Sequence, residues 1–175
     1  MKKILIIFIY IFVIYLFSTT IYAQSSYVLP YPSYMPGSIL YKPHLLWEEI
    51  SSYWYFGTLS QFKYNLKLAD KYLVEAKILF EYQQYPLAIN ALEKSDKYFQ
   101  EATVSLKFAK QQGKNINLKQ DIYNQAALKH TETLDDLESF LPSKFTWLPE
   151  KAAATILNIK PIIDNSIKIR RKSYL

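Results

Sequence analysis

The sequence has no cysteine, and it contains three glycines and two histidines among its 175 residues. The absence of cysteine excludes a disulfide framework, a thiol nucleophile, a zinc–thiolate site and a lipid anchor on cysteine. The scarcity of glycine argues against a phosphate-cradling loop and against an all-β fold that turns at glycines. Because His44 and His130 do not form an H-x-x-x-H pair, we expect no metal and no cofactor.

The residues that are present are typical of a folded helical protein. Half of them are apolar, 17% are aromatic and 21% are charged. This share of apolar residues is too high for a disordered chain, and the length fits one domain. We therefore predict an all-α fold.

The amino-terminal residues have the order of a secretory signal peptide. Lys2 and Lys3 precede an unbroken apolar run, Ile4–Phe17, which small polar residues and then Ala23 follow. This order predicts a signal peptide over residues 1–23 with cleavage after Ala23. An uncleaved segment would instead be long enough to anchor the chain in a membrane. In both cases we expect the rest of the chain outside the cytoplasm, secreted or periplasmic, where nucleic acid is not an expected partner.

Residues 24–42 are rich in proline and tyrosine. Prolines at this density fix φ and remove backbone donors, so the segment is predicted to be an extended strap. We expect its aromatic rings to cover the bundle, and the alternative is a Pro/Tyr ligand or a carbohydrate-stacking surface.

The candidates for an interaction surface come from this strap and from the helices that follow it. They are Tyr31, Tyr34, Tyr41, Trp47 and Tyr85.

Apolar residues recur at alternating steps of three and four over residues 43–166, which is the pattern of amphipathic helices. Four to five such helices with short connections predict an antiparallel bundle. Thr58 and Gln61 match a capping box, and Pro161 predicts a kink or a restart in the last helix. Residues 167–175 are predicted to be a frayed basic tail, and the alternative is a contact with anionic lipid or wall polymer through its charge. The predicted helices begin near Pro43, Thr58, Pro86, Asn117 and Pro149.

One helical hairpin in this bundle resembles a single tetratricopeptide repeat. Such repeats normally stack in arrays, and this sequence has no second copy at the expected period. The likeness therefore implies only the local geometry of a helical hairpin. The small and large residues that carry it are Ala76, Leu79, Tyr85, Ala88, Leu92 and Ser95.

A wider resemblance covers most of residues 28–160. It rests on the stretches Met35–Tyr41, Leu45–Glu48, Leu68–Lys71 and Ala127–His130. These stretches resemble a family of secreted or membrane-anchored bacterial proteins, domain of unknown function 5667. The resemblance implies an extracytoplasmic helical domain with a sensing or binding role, and it supplies no catalytic residues.

Acid–base catalysis needs two carboxylates held across a cleft, and the sequence gives no sign of such a pair. The densest acidic group, Glu132, Asp135, Asp136 and Glu138, follows one helix and is expected to be a solvated face. His130 lies on the inner stripe of its helix, where it either satisfies a neighbour or acts as a pH-sensitive switch. We predict that the protein is not an enzyme.

Three functions remain open at this point. The leading hypothesis is an extracytoplasmic interaction module that binds a protein, peptide or envelope polymer through exposed aromatic residues. The alternatives are a self-associating structural protein of the envelope and a hydrolase of wall or secreted substrates. Exposed tryptophans would favour the first, an apolar seam on an outer helix the second, and paired, partly buried carboxylates in a pocket the third.

Overall fold

A computed structural model of the protein describes residues 25–32, 34–151 and 153–172, so the predicted signal peptide lies outside the described residues. The described residues confirm the predicted all-α bundle and add a small two-stranded sheet. None of their helices is both long enough and apolar enough to cross a membrane. The elements are α1 (Tyr41–Ser52), α2 (Thr58–Glu81), α3 (Tyr85–Gln111), α4 (Asn117–Phe140), β1 (Lys144–Trp147), β2 (Thr155–Asn158) and α5 (Ile159–Arg171).

Helices α2 and α3 form the predicted antiparallel hairpin, and small residues line the seam between them. Fully buried alanines let the two backbones approach closely. The hydroxyl of Ser95 on α3 donates a hydrogen bond to the backbone carbonyl of Ala69 on α2 at 2.8 Å. The tetratricopeptide likeness of this hairpin stays a prediction. The alanines of the seam are Ala69, Ala76, Ala88, Ala102 and Ala109.

Helices α4 and α5 close the bundle over two apolar clusters. Their buried residues follow the three-and-four spacing that the sequence shows, because that spacing keeps one face of each helix turned inward. One cluster includes Leu73, Phe80, Leu92, Leu134, Ile159 and Ile163, and the other includes Phe62, Leu66, Phe99, Leu106 and Tyr123.

The prediction of a helix beginning near Pro149 is wrong for its first part. Residues Lys144–Trp147 and Thr155–Asn158 instead pair as two antiparallel strands. Helix α5 begins only at Ile159. Pro161 therefore lies in the first turn of α5, where a backbone N–H has no partner within the helix and its loss costs nothing. The proline helps to start a helix and does not kink one.

Two further boundaries differ from the prediction. Thr58 is the first residue of α2 and not its cap, since Gly57 precedes it with a φ of +83°. The Thr58 hydroxyl instead accepts a hydrogen bond from Nζ of Lys114 at 2.9 Å. Residues 167–171 belong to α5 and do not form a frayed tail, because Ile167 and Arg170 are buried.

Candidate functional site

Helix α1 lies against α2 and buries none of its twelve residues. On its inner side, Leu45 packs against a small cluster of α2 residues that includes Leu68. Its outer side and the turn that follows leave several large apolar side chains in water. These exposed residues include Leu46, Trp47, Ile50, Tyr53 and Trp54.

The contact between α1 and α2 is centred on the carboxylate of Glu48. Its Oε2 accepts a hydrogen bond from the Tyr72 hydroxyl at 2.8 Å. Its Oε1 pairs with the ammonium group of Lys71 and lies 3.1 Å from Nε2 of His44. The Tyr64 hydroxyl donates to the backbone carbonyl of Glu48, and burial raises the pKa of Tyr64 to about 12. Polar contacts therefore contribute much of what holds α1 in place.

A second polar contact joins the start of α1 to α2. The hydroxyl of Tyr41 donates a hydrogen bond to Oε1 of Glu75 at 2.8 Å. Glu75 is buried, and its Oε2 has no hydrogen-bond partner within the described part of the chain. Burial raises the pKa of Glu75 above its ordinary value, because a buried carboxylate with an unpaired oxygen is costly to ionise. Tyr41 therefore fastens α1 to the bundle.

A groove of about 460 Å³ lies between the strap, α1 and α2. The ring centroids of Trp47 and Trp54 are 5.4 Å apart and their planes meet at 71°, so the two indoles form a corner. Trp47 is 55% exposed and Trp54 is 60% exposed. Ligand sites are typically concave and aromatic, with a few polar groups. The lining includes the aromatic residues Tyr31, Trp47, Trp54, Tyr55 and Tyr64 and the polar residues His44, Glu48, Ser51, Lys67 and Lys71.

The charge of this groove depends on three of its lining residues. Glu48 has both carboxylate oxygens occupied by neighbours, and Lys71 is one of those neighbours. Lys67 makes no ion pair and no side-chain hydrogen bond with any residue that the structure describes. The groove therefore presents a positive charge with no partner, while its one carboxylate is already neutralised.

The predicted surface residues have different environments. Tyr31 lines the groove and is 96% exposed, and the ring of Tyr34 lies 5.1 Å from that of His44. The prediction that Tyr85 belongs to an interaction surface is wrong. Its ring is buried and packs 4.5 Å from the ring of Phe145, because the strand β1 covers the start of α3. Sequence reasoning also did not predict which residues line the groove beside Trp47, because most of them lie on the strap, on α2 and in the turn after α1.

A buried polar cluster lies inside the bundle around His130. The Nε2 atom of His130 is 2.7 Å from Oδ1 of Asp70, and its Nδ1 atom accepts a hydrogen bond from Nε of Arg170 at 3.3 Å. These two contacts together require a neutral ring that carries its proton on Nε2. Burial lowers the pKa of His130, and the charge of Arg170 lowers it further. The pH-sensitive role of His130 stays a prediction.

The same cluster ties both ends of the described chain to the core. Arg170 is fully buried and pairs with Asp96, which also accepts a hydrogen bond from the Ser166 hydroxyl at 2.6 Å. At the other end, the hydroxyl of Tyr27 in the strap donates to Asp70 at 2.7 Å. Sequence reasoning assigned Arg170 to the tail, although the helical spacing of its stripe was visible. That stripe is Ile159, Ile163, Ser166 and Arg170.

The acidic residues of α4 are mostly paired with basic residues. Among the described residues, no group of three or more His, Cys, Asp or Glu side chains could hold a metal ion. A second cavity of about 920 Å³, between α1, α2 and α3, has Glu48, Glu49 and Glu101 in its lining. The pairs on α4 are Glu132 with Lys129 at 3.0 Å, Asp135 with Arg171 at 3.6 Å, and Glu138 with Lys160.

Comparison with known proteins gives one match. The family model described as Domain of unknown function (DUF5667) matches residues 33–144. The matched span includes α1 with Trp47, the turn with Trp54, and His130, but it ends before α5. Neither the comparison with curated proteins nor the comparison with solved structures gives a match.

Proposed function

The chain belongs to the family described as Domain of unknown function (DUF5667), and from this premise we propose that it is an exported interaction module. Its aromatic groove binds a protein, a peptide or an envelope polymer outside the cytoplasm. One observation carries the proposal: α1 buries none of its residues, and Trp47 on α1 and Trp54 in the turn after it are both in water beside a groove. Contiguous apolar side chains left in water on a folded domain are typical of interaction sites.

Export is supported by the order of residues 1–23, in which two lysines precede a long apolar run and small residues. Amino-terminal sequencing of the protein from fractionated native cells tests this half of the proposal. A chain that begins at Gln24 in the medium or periplasm supports cleavage and release. An intact amino terminus in the membrane fraction supports an anchored domain. Recovery from the cytoplasm would overturn export.

The binding half is tested by photo-cross-linking in native cells, with partners identified by mass spectrometry. We compare the wild type with the variants Trp47→Ala and Trp54→Ala. Trp147→Ala is the matched control, because Trp147 lies on β1, is partly exposed and does not line the groove. We expect one reproducible partner that both groove variants lose and the control keeps. A partner profile that is unchanged by the groove variants would overturn the proposal.

A second observation favours self-association as an alternative. Val104 and Phe108 are exposed on α3. Because they are four positions apart in the sequence, they lie on the same side of that helix. This is the kind of apolar strip that an outer helix offers to a second copy. Light scattering over a wide concentration range tests it. A dimeric mass that Val104→Ser abolishes would favour a structural protein, and a monomeric mass at all concentrations would exclude it.

A further inference from the structure

Most of the free polar groups of the groove can donate hydrogen bonds. The indole N–H groups of Trp47 and Trp54, the hydroxyls of Tyr31 and Tyr55 and the ammonium group of Lys67 have no hydrogen-bond partner among the described residues. The two carboxylate oxygens of Glu48 are already occupied. The indole and ammonium groups can only donate, so they favour a ligand that is rich in acceptor atoms.

The lining also requires apolar faces and negative charge on the ligand. The corner of Trp47 and Trp54 offers large ring surfaces that a flat, partly apolar group covers well. The unpaired ammonium group of Lys67 attracts a carboxylate or phosphate, and no unpaired anion in the groove opposes it. The formal net charge acts in the same direction at longer range: it is +6 for the whole chain and +4 once residues 1–23, with Lys2 and Lys3, are removed.

We propose that the groove binds an acidic polysaccharide. Sugar rings stack on Trp47 and Trp54, their oxygens accept hydrogen bonds from the indole and hydroxyl donors, and an acidic group on the polymer pairs with Lys67. This inference rests on the proposed function and names its ligand class. A proline-rich peptide would use the same rings, but it would gain nothing from the exposed charge of Lys67, so the charge favours the acidic polymer.

Isothermal titration calorimetry of the protein recovered from native cells tests this assignment. The probes are polygalacturonate, which carries carboxylates, and dextran, which is neutral. We expect polygalacturonate to bind and dextran to bind at least about tenfold more weakly. Trp47→Ala and Trp54→Ala should each weaken binding roughly three- to tenfold, the range that one aromatic contact supplies. Trp147→Ala should leave the affinity unchanged, and circular dichroism checks that each variant is folded.

The charge requirement has its own matched pair of variants. Lys67→Gln should weaken polygalacturonate binding and flatten its dependence on salt, because screening acts on the ion pair that this variant lacks. Lys107→Gln, which removes an exposed lysine on α3 outside the groove, should do neither. Equal binding of dextran, or equal effects of the two lysine variants, would overturn the assignment.

Three further outcomes separate this inference from the proposed function. If polygalacturonate fails to bind while cross-linking still finds a partner that depends on Trp47, the interaction module stands and the ligand class is wrong. If polyproline or phosphatidylglycerol vesicles bind through Trp47 and polygalacturonate does not, the ligand class is also wrong. If neither cross-linking nor titration depends on Trp47, both proposals fail.

Discussion

Helices α1 and α2 lie against each other, are both rich in aromatic and apolar residues, and have opposite environments. More than half of the 24 residues of α2 are buried, whereas none of the twelve residues of α1 is. The difference arises because α3 and α4 pack against α2 and share its apolar clusters with α5, whereas α1 contacts α2 through a few side chains and leaves its outer side in water. Burial is the main source of folding free energy, so we expect α2 to α5 to determine stability and the exposed apolar residues of α1 to contribute little to it.

Removal of a buried charge in the bundle should cause the largest loss of stability. Arg170→Ala leaves Asp96 buried without its ionic partner and removes the donor to His130. We expect a loss of about 3–5 kcal/mol in the free energy of unfolding, measured by urea denaturation. Arg171→Ala is the control, since Arg171 is exposed and makes one long ion pair with Asp135. That variant should lose less than about 1 kcal/mol.

A double variant sharpens the test of this ion pair. Arg170→Met combined with Asp96→Leu removes both charges and keeps apolar volume in the core. If the penalty of Arg170→Ala comes from the uncompensated charge, the double variant should regain much of the lost stability. A double variant as unstable as Arg170→Ala would show instead that the hydrogen bonds of the cluster matter more than its charge balance.

The same substitution on the two helices compares them directly. Leu73 on α2 is fully buried, and Leu46 on α1 is 59% exposed. Leu73→Ala should cost about 2–5 kcal/mol, because it removes buried apolar area and leaves a cavity. Leu46→Ala should stay within about 0.5 kcal/mol. Thermal and urea unfolding of both variants measure this, and a large loss for Leu46→Ala would mean that α1 stabilises the fold after all.

Two tyrosines of the strap also differ in their environment, and we expect smaller effects on stability from substituting them. The Tyr27 hydroxyl donates to buried Asp70, whereas Tyr31 is almost fully exposed at the groove. Tyr27→Phe should cost about 1–3 kcal/mol, since it removes a hydrogen bond to a buried carboxylate. Tyr31→Phe should leave the unfolding free energy unchanged. Equal stabilities of the two variants would contradict the idea that the strap is fastened through Tyr27.

The sequence predicts the helices well because their signal is local. Alternating steps of three and four place Leu73 and Phe99 on inner faces, and both are fully buried. The two strands escape prediction because each has only four residues, too few for an alternating pattern to stand out from the helical spacing around it. Arg170 escapes it because a basic residue near a carboxyl terminus is usually exposed, and only the partner Asp96 explains its burial.

The candidate site is predictable only in part, because its residue types can be read from the sequence and its geometry cannot. Trp47 is recognisable as a candidate from its residue type alone, because a large aromatic side chain on a short surface helix favours binding. The corner that it forms with Trp54, and the unpaired charge of Lys67 beside both, depend on how the strap, α1 and α2 come together. That arrangement is tertiary, so no pattern along the chain contains it.

The smallest expected effect is a change of stability with pH that depends on His130. Burial lowers its pKa in the folded protein below the ordinary value of 6.5. As the pH falls below about 6.5, the unfolded chain takes up a proton that the folded ring does not, so this contribution to stability is present above that pH and is lost below it. The slope is at most about 1.4 kcal/mol per pH unit for one group.

Thermal unfolding between pH 5 and 8 should show the wild type losing stability relative to His130→Gln as the pH falls. Glu75, whose pKa is raised, contributes with the opposite sign but is present in both proteins and cancels from the difference. A difference that stays constant across this range would mean that the folded protein binds the proton as readily as the unfolded chain, and that Asp70 offsets the burial of the ring.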